Sequence, residues 1–170
     1  MELRDFIQEG LAFATQVTMK AIDGLTHDEL KWRPGPGANS IGLLLFHQAR
    51  SEDTFVQTRI QGKPQVWESG KWYEKMGLPA TEQGSHYTME QMHAFRVPES
   101  KDLIAYSEAV RARTNEYLKG MTAGKFDSIV NMPRRGDISI GSVFTFVIVH
   151  AGEHAGDISY LRGLQRGMDK

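Results

Sequence analysis

Two histidines near the end of the chain have the spacing of a metal site. His150 and His154 are four residues apart, between the apolar run Val147-Ile148-Val149 and the apolar residue Ile158. On an α-helix, residues i and i+4 lie on the same face, one turn apart. The pair therefore interrupts what should be the buried stripe of a helix, where unpaired polar groups are costly. A bound metal ion is the best reason for two imidazoles in that place.

A third histidine, His47, follows Leu43 and Leu44 at helical spacing and can share their buried face. Three neutral imidazoles form an open site of the catalytic type, which holds a divalent ion and leaves a position for water or substrate. Imidazole suits zinc, nickel, copper and iron, so the ligands do not identify the metal. Because this shell has no negative charge, it favours hydroxide, a thiolate or a carboxylate in the open position.

Two acidic residues accompany the histidine pair. Asp157 lies three residues after His154, where a carboxylate can orient a ligand imidazole and raise its basicity. The alternative is that Asp157 is a solvated surface acid, as most aspartates are. Glu153 is a candidate general base, or else an exposed residue without a role. Both interpretations stay open at the level of sequence.

Two other metal motifs fit less well. His150-Ala151-Gly152-Glu153-His154 matches the inverted zinc-protease signature H-x-x-E-H. Those proteases take a third, acidic ligand far downstream, whereas only sixteen residues follow His154 here and none is glutamate. A di-iron carboxylate bundle needs a Glu-x-x-His motif on each of two helices. Glu90-Gln91-Met92-His93 has that spacing, but it lies in an irregular region and no long helix repeats it.

Composition restricts the class of protein. The chain has 170 residues, a length that suits one domain over residues 1–170, and a net charge of −1. Without a broad basic field, we expect no nucleic-acid partner and no anionic membrane surface. There is no cysteine, which excludes disulfides and thiolate ligands. Since neither a signal peptide nor a membrane span is evident, we expect a cytoplasmic, single-domain protein.

Four long helices should position the three histidines. Periodicity and capping residues predict them over these approximate ranges: Leu3 to Ile22; Asn39 or Ser40 to Gln61; from after Pro98 to Gly120; and Ser139 to Leu164. Such a set indicates an all-α fold, a four-helix bundle with a long loop between the second and third helices. Bundles place metal sites in their cores, between facing helices.

The two long connections differ in character. Residues 62–97 are irregular and rich in aromatics, so we expect a lid or a pocket wall with short helices such as Met89 to Phe95. The aromatic residues expected to shape an apolar pocket are Trp67, Trp72, Tyr73 and Tyr87. The connection over residues 122–137 is polar, and we interpret its Arg134-Arg135 pair as solvated surface.

With these residues in view, the chain resembles the DinB-like family of four-helix-bundle metalloproteins. The resemblance rests on Leu44-Leu45-Phe46-His47 in the second helix, on the His150 and His154 pair, and on the following segment His154-Ala155-Gly156-Asp157-Ile158. It implies a divalent metal held by His47, His150 and His154, and frequent homodimers. Characterised relatives include S-transferases and isomerases that use thiols such as mycothiol or bacillithiol. Some relatives have glutamate in place of the first histidine of the pair, whereas this chain keeps His150.

Three functions remain open. The first is an enzyme in which a divalent ion (Zn, Ni, Fe or Mn) activates a low-molecular-weight thiol for transfer to a small-molecule substrate. The second is a metal-dependent hydrolase with Glu153 as base. The third is a non-catalytic metal-binding or stress-response dimer. The sequence contains no residue that the resemblance identifies as a thiol-binding determinant.

Overall fold

A computed structural model describes residues 1–167, and the last three residues of the predicted 1–170 domain lie outside them. The fold is mostly helical, with one small antiparallel sheet. The helices are α1 (Leu3–Ile22), α2 (His27–Lys31), α3 (Ile41–Asp53), α4 (Val66–Ser69), α5 (Trp72–Met76), α6 (Met89–Ala94), α7 (Ser100–Lys119) and α8 (Ile140–Arg166). The strands are β1 (Ile129–Met132) and β2 (Gly136–Ser139). Within the described residues, no helix combines the length and apolar character needed to cross a membrane.

The four predicted long helices are present, and local capping explains most of their ends. The side chain of Ser40 accepts a hydrogen bond from the Leu43 amide at the start of α3, and that of Ser139 does the same for Ser142 at the start of α8. Helix α8 ends before Gly167, as predicted, but it extends two residues beyond the predicted Leu164. Helix α6 also matches its predicted range to within one residue, with a capping box at Thr88.

The second long helix changes its winding after α3. Residues Thr54–Ile60 form a π-helical segment, whereas we predicted a regular helix as far as Gln61. The change begins directly after Asp53, whose carboxylate accepts the backbone N–H groups of Val66 and Trp67 at 2.8 and 2.9 Å. Through these two hydrogen bonds, the start of α4 packs against the end of α3. No local sequence pattern predicts this contact or the π-helical segment that follows Asp53.

A hairpin lies where we predicted only a polar connection. Strands β1 and β2 pair with Val130 opposite Ile138, and the turn between them contains Pro133 and Arg134. The strands are only four residues each, too short for alternation to be recognised in the sequence. The hairpin brings Arg134 and Arg135 next to the start of α8.

The long helices bury three connected apolar clusters. Helix α8 packs against α1 and α3, and α3 also packs against α7. The first cluster joins α1, α8 and the hairpin, the second joins α3, α7 and residues 66–97, and the third joins α2 with the ends of α1 and α8. Helices α3 and α8 are therefore held side by side, which sets the distance between His47 and the histidine pair.

The end of α8 is tied to α2 by an ion pair with a predictable pH dependence. Arg166 donates to both carboxylate oxygens of Glu29, at 2.5 and 2.7 Å, and the backbone and hydroxyl of Thr26 donate to the same carboxylate. These donors, Arg166 first, lower the pKa of Glu29 from 4.5 to about 2. The ionised form is thus favoured in the folded state, and the pair stabilises the fold wherever Glu29 is charged.

We expect Glu29→Gln to lower the free energy of unfolding at pH 7. The wild type's advantage should be complete well above pH 4.5, should shrink as the pH falls from there towards 2, and should be lost below about pH 2, as Glu29 becomes protonated in the folded state as well. Urea unfolding of both proteins over this pH range measures the difference. Glu116→Gln, at an exposed pair with Lys119, is the control. A Glu29 effect that stays constant down to pH 2 would contradict the assignment.

Candidate metal centre

Three histidine side chains meet between α3 and α8, as predicted. Nε2 of His150 lies 3.0 Å from Nε2 of His47 and 3.1 Å from Nε2 of His154. One nitrogen from each ring lies within 4.8 Å of the other two. All three side chains are partly buried. The i, i+4 spacing on α8 supplies two of the rings, and the packing of α3 against α8 supplies the third.

In two of these rings, a hydrogen bond at Nδ1 shows which ring nitrogen carries the proton. Nδ1 of His47 donates to the carbonyl oxygen of Gly84 at 2.8 Å, and Nδ1 of His154 donates to Oδ2 of Asp157 at 3.1 Å. A carbonyl or carboxylate oxygen only accepts, so both Nδ1 atoms carry hydrogen. In the neutral rings, each Nε2 then presents a lone pair to the centre of the group.

This arrangement fits a cation. Nε2 of His150 can donate to one of its two neighbours at most, so at least one contact near 3 Å places two lone pairs together. A metal ion accepts all three lone pairs at once. Neighbouring ligand atoms around tetrahedral zinc, with bonds of about 2.0–2.1 Å, are separated by about 3.3 Å. The distances from Nε2 of His150 to Nε2 of His47 and of His154 are close to that separation.

The surroundings favour the uncharged form of two of the rings, those of His150 and His47. Burial lowers the pKa of His150 to about 3, with smaller contributions from His154 and His47. Burial also lowers the pKa of His47, although its bond to Gly84 opposes the shift. Neutral imidazole is the form that binds a metal. Two of the three rings are therefore ready to act as ligands at neutral pH without losing a proton.

Gly84 lies in a turn that sequence analysis did not connect with the site. Its φ is +71°, and a Cβ at this position would approach the ring of Phe46 to 3.0 Å. Its amide donates to Oε1 of Glu82 at 3.1 Å, and the hydroxyl of Tyr87 donates to the same oxygen at 2.6 Å. Glycine thus provides both the conformation and the space that place its carbonyl against His47. No motif marked this residue.

A buried polar network anchors this turn to α3. Nε of Arg50 donates to the carbonyl of Glu82 at 3.2 Å, and its guanidinium contacts Asp53 at 3.6 Å. Asp53 is fully buried and also accepts the Tyr106 hydroxyl at 2.7 Å. Burial raises the pKa of Asp53 in spite of these donors. The position of His47 therefore depends on a carboxylate six residues further along the same helical segment.

A cavity of about 380 Å³ opens beside His47 and His154. Its other walls come from the start of α3, from residues 84–88 and from the two methionines of α6, Met89 and Met92. Several of these residues are exposed, so solvent reaches the cavity. The cavity is large enough for a small organic molecule, which can therefore approach the histidines from this side.

The aromatic residues of the 62–97 segment do not line this cavity as we predicted, with one exception. Trp67 is 1% exposed and packs on Phe46 and Tyr106, and its Nε1 donates to the carbonyl of Ala80. Trp72 and Tyr73 pack around the same buried rings. Of the four aromatics named, Tyr87 alone lines the cavity. Aromatic residues can serve a core or a pocket equally well, and the sequence does not separate the two uses.

The two acidic candidates occupy different surroundings. Asp157 contacts His154, as the hydrogen bond above shows, although its side chain is 59% exposed. Glu153 is exposed and does not belong to the residues that line the cavity. Its role as a base stays a prediction. His86 lines the cavity together with His47 and His154.

Comparisons with known proteins agree with the fold. The chain is similar to a solved structure of a conserved protein from Enterococcus faecalis, with a TM-score of 0.86, 24% identity and coverage of 96% of this chain and 97% of that one. At this identity the likeness shows the fold alone. No curated protein matches the chain. The sequence model of the DinB superfamily matches residues 11–158, which include all three histidines, and the chain belongs to this superfamily.

Proposed function

We propose that this protein is a metal-dependent enzyme of the thiol transferase type, with one divalent ion held by His47, His150 and His154. The observation that carries the proposal is the convergence of three Nε2 atoms beside an open cavity. A divalent ion bound there would lower the pKa of a thiol or water in its open position and so supply a nucleophile. The four long helices would form the four-helix bundle that positions it.

The chain's own residues would perform the remaining tasks. Gly84 and Asp157 fix the orientation of two ligand rings, which keeps their lone pairs directed at the ion. Met89 and Met92 give the cavity a flexible apolar wall that can adapt to an electrophile. Since the cavity opens to solvent, water can take up the thiol proton without a dedicated base. The hydroxyl of Tyr87 is occupied by Glu82, and burial raises its pKa, so it is a wall residue in this proposal.

The test is turnover by the metal-loaded protein. Samples loaded with Zn²⁺, Ni²⁺, Fe²⁺ or Mn²⁺ are mixed with a small thiol and an electrophile, and free thiol is followed over time. We expect metal-dependent loss of thiol that His150→Ala abolishes. Hydrolysis of activated esters without thiol, reduced by Glu153→Gln, would instead support the hydrolase. Metal binding without turnover in either assay would support a non-catalytic metal-binding role.

We also propose that this protein forms a homodimer. Phe6 and Phe13 on α1 are 57% and 68% exposed, and Val149 on the adjacent α8 is 51% exposed. Phe6 and Phe13 are seven residues apart and so lie on one face of α1, and large exposed apolar side chains are typical of a surface that another chain covers. Sedimentation equilibrium of wild type and of Phe13→Ser tests this: the wild type should be dimeric and the variant should dissociate more readily.

Asp157 provides a quantitative test of the metal site. We expect Asp157→Ala to weaken metal binding by about 10–100-fold, because loss of the acceptor frees the His154 ring to rotate. Competition with a chelator of known affinity measures the change. Glu153→Ala removes the same charge from the same helix and should leave the affinity within about twofold, an estimate for a charge without a ligand contact. Equal effects of the two substitutions would show that charge, and not ring orientation, matters.

A further inference from the structure

Two arginine side chains of the hairpin turn lie close to the three histidines and to one wall of the cavity. Arg134, at the turn of the hairpin, places Nη1 3.4 Å from Nε2 of His86, a residue of the cavity wall. Arg135 lies over the ring of Phe146 at 4.1 Å, and that ring lies 5.5 Å from the ring of His150. The hairpin therefore places one guanidinium group beside a residue of the cavity wall and the other against an aromatic ring that contacts His150.

These two arginines have no carboxylate partner among residues 1–167. Their recorded contacts are with His86 and with the Phe146 ring. None of the residues that line the cavity is acidic. The nearby carboxylate of Asp157 accepts a bond from His154, and that of Asp137 accepts one from Asn131. Within the described part of the chain, the two guanidinium groups therefore have no carboxylate counter-ion, although they lie near the three histidines.

Both residues of the contact between Arg134 and His86 have an unusual backbone conformation. Arg134 has φ of +66° and His86 has φ of +58°, in the left-handed region that favours glycine. Arg134 follows Pro133 in a turn closed by the Arg135 amide and the Met132 carbonyl at 3.0 Å, and glycine or asparagine is preferred at such a position. A long cationic side chain, that of Arg134, therefore stands where a small residue would form the turn more easily. This choice is explained if the side chain has a ligand.

We propose that the substrate of this site carries an anionic group, such as a carboxylate, which Arg134 and Arg135 bind while the reacting group of the same molecule reaches the histidines. The proposal rests on the proposed metal function and specifies its substrate class. The two arginines are specificity-determining residues in it. Charge-assisted hydrogen bonds from guanidinium to carboxylate are strong and directional, so they would also orient the substrate.

The test measures binding and does not depend on turnover. The full chain is loaded with Co²⁺, whose visible absorption reports a ligand in its coordination shell. It is then titrated with 3-mercaptopropionate, 2-mercaptoethanol and cysteamine, which offer the same thiol with a negative, a neutral and a positive second group. Arg134→Gln/Arg135→Gln, Arg134→Lys/Arg135→Lys and Arg113→Gln are treated in the same way. Arg113 lines a different cavity and controls for the loss of one charge.

We expect the wild type to bind 3-mercaptopropionate more tightly than the other two thiols, and the double glutamine variant to bind it about tenfold more weakly, with little change for 2-mercaptoethanol. The double lysine variant should keep most of the preference, and Arg113→Gln all of it. The three thiols also differ in thiol pKa and in whether a second group can chelate Co²⁺. These differences are the same for every variant, so a change in preference between wild type and variant reports the arginines.

Two other outcomes would overturn the proposal in distinguishable ways. If loaded wild type shows no preference, or if the preference persists in the double glutamine variant, the anion site is wrong while the metal function stands. If the wild type takes up no Co²⁺, the proposed function fails and the substrate assignment fails with it. Both arginines are exposed, so the variants should fold, and circular dichroism confirms this.

Discussion

Replacing His150 by alanine is expected to remove the metal from this protein. The untagged wild type, purified without a metal-affinity column, should contain or take up about one equivalent of a divalent transition metal per chain, while the variant should retain only background. His150 contributes the nitrogen that lies near 3 Å from both other ligand nitrogens, so its loss opens the centre of the group. Because loss of an outer-shell partner alone costs about 10–100-fold, loss of this ligand should cost more than about 100-fold.

Elemental analysis and chelator competition measure this change. His93→Ala is the matched control, since His93 is exposed, bonds to the carbonyl of Pro36 and is not part of the group. It should keep the full metal content. A wild type that binds no zinc, nickel, iron or manganese would show that the three histidines are structural. Equal metal content in His150→Ala and wild type would place the metal elsewhere.

Replacing Asp53 by alanine is expected to have the largest effect on stability. The substitution leaves the guanidinium of Arg50 without its buried counter-ion, and the amides of Val66 and Trp67 and the hydroxyl of Tyr106 without their acceptor. Breaking a buried pair by removing one partner costs about 3–5 kcal/mol. For a chain of this length, that loss corresponds to a fall in Tm of roughly 10 °C.

Thermal and urea unfolding measure this effect. Asp53→Asn is a milder variant, since its amide oxygen can still accept one of the bonds, and its effect should be intermediate. Glu116→Ala, at an exposed ion pair with Lys119, should change the free energy of unfolding by less than about 0.5 kcal/mol. Because Arg50 also holds the turn that positions Gly84, Asp53→Ala should weaken metal binding as well. A change in stability below about 1 kcal/mol would contradict the role assigned to Asp53.

The long helices could be predicted because their signals are local. Helix α1 has the predicted range, and α7 and α8 begin within two residues of theirs. Periodicity and caps such as Ser40 and Ser139 act within one or two turns, so they are visible in a single sequence. The π-helical segment after Asp53 and the hairpin of β1 and β2 could not be predicted. The first depends on contacts with residues 66 and 67, and the second on packing against α8.

The residues of the candidate site also differ in whether the sequence could predict them. His150 and His154 were predicted as a pair from their spacing alone, and His47 from its position in an apolar helix. Trp67 was assigned to a pocket and lies in the core, because the sequence does not show which surface an aromatic residue faces. Gly84, which orients His47, lies 37 residues from it and has no pattern that connects the two.

The sequence by itself therefore determined the helices and the presence of three histidines on their inward faces, since both follow from periodicity over one or two turns. Only the tertiary structure decided that the three rings meet at about 3 Å, which of their nitrogens face the centre, and which side is open. It also showed that the arginine pair, which we interpreted as solvated surface, contacts His86 of the cavity wall and the ring of Phe146. These features depend on the crossing of α3 and α8 and on the turns at Gly84 and Arg134. Such contacts join residues that are far apart in the chain, so they produce no periodic pattern in the sequence from which they could be predicted.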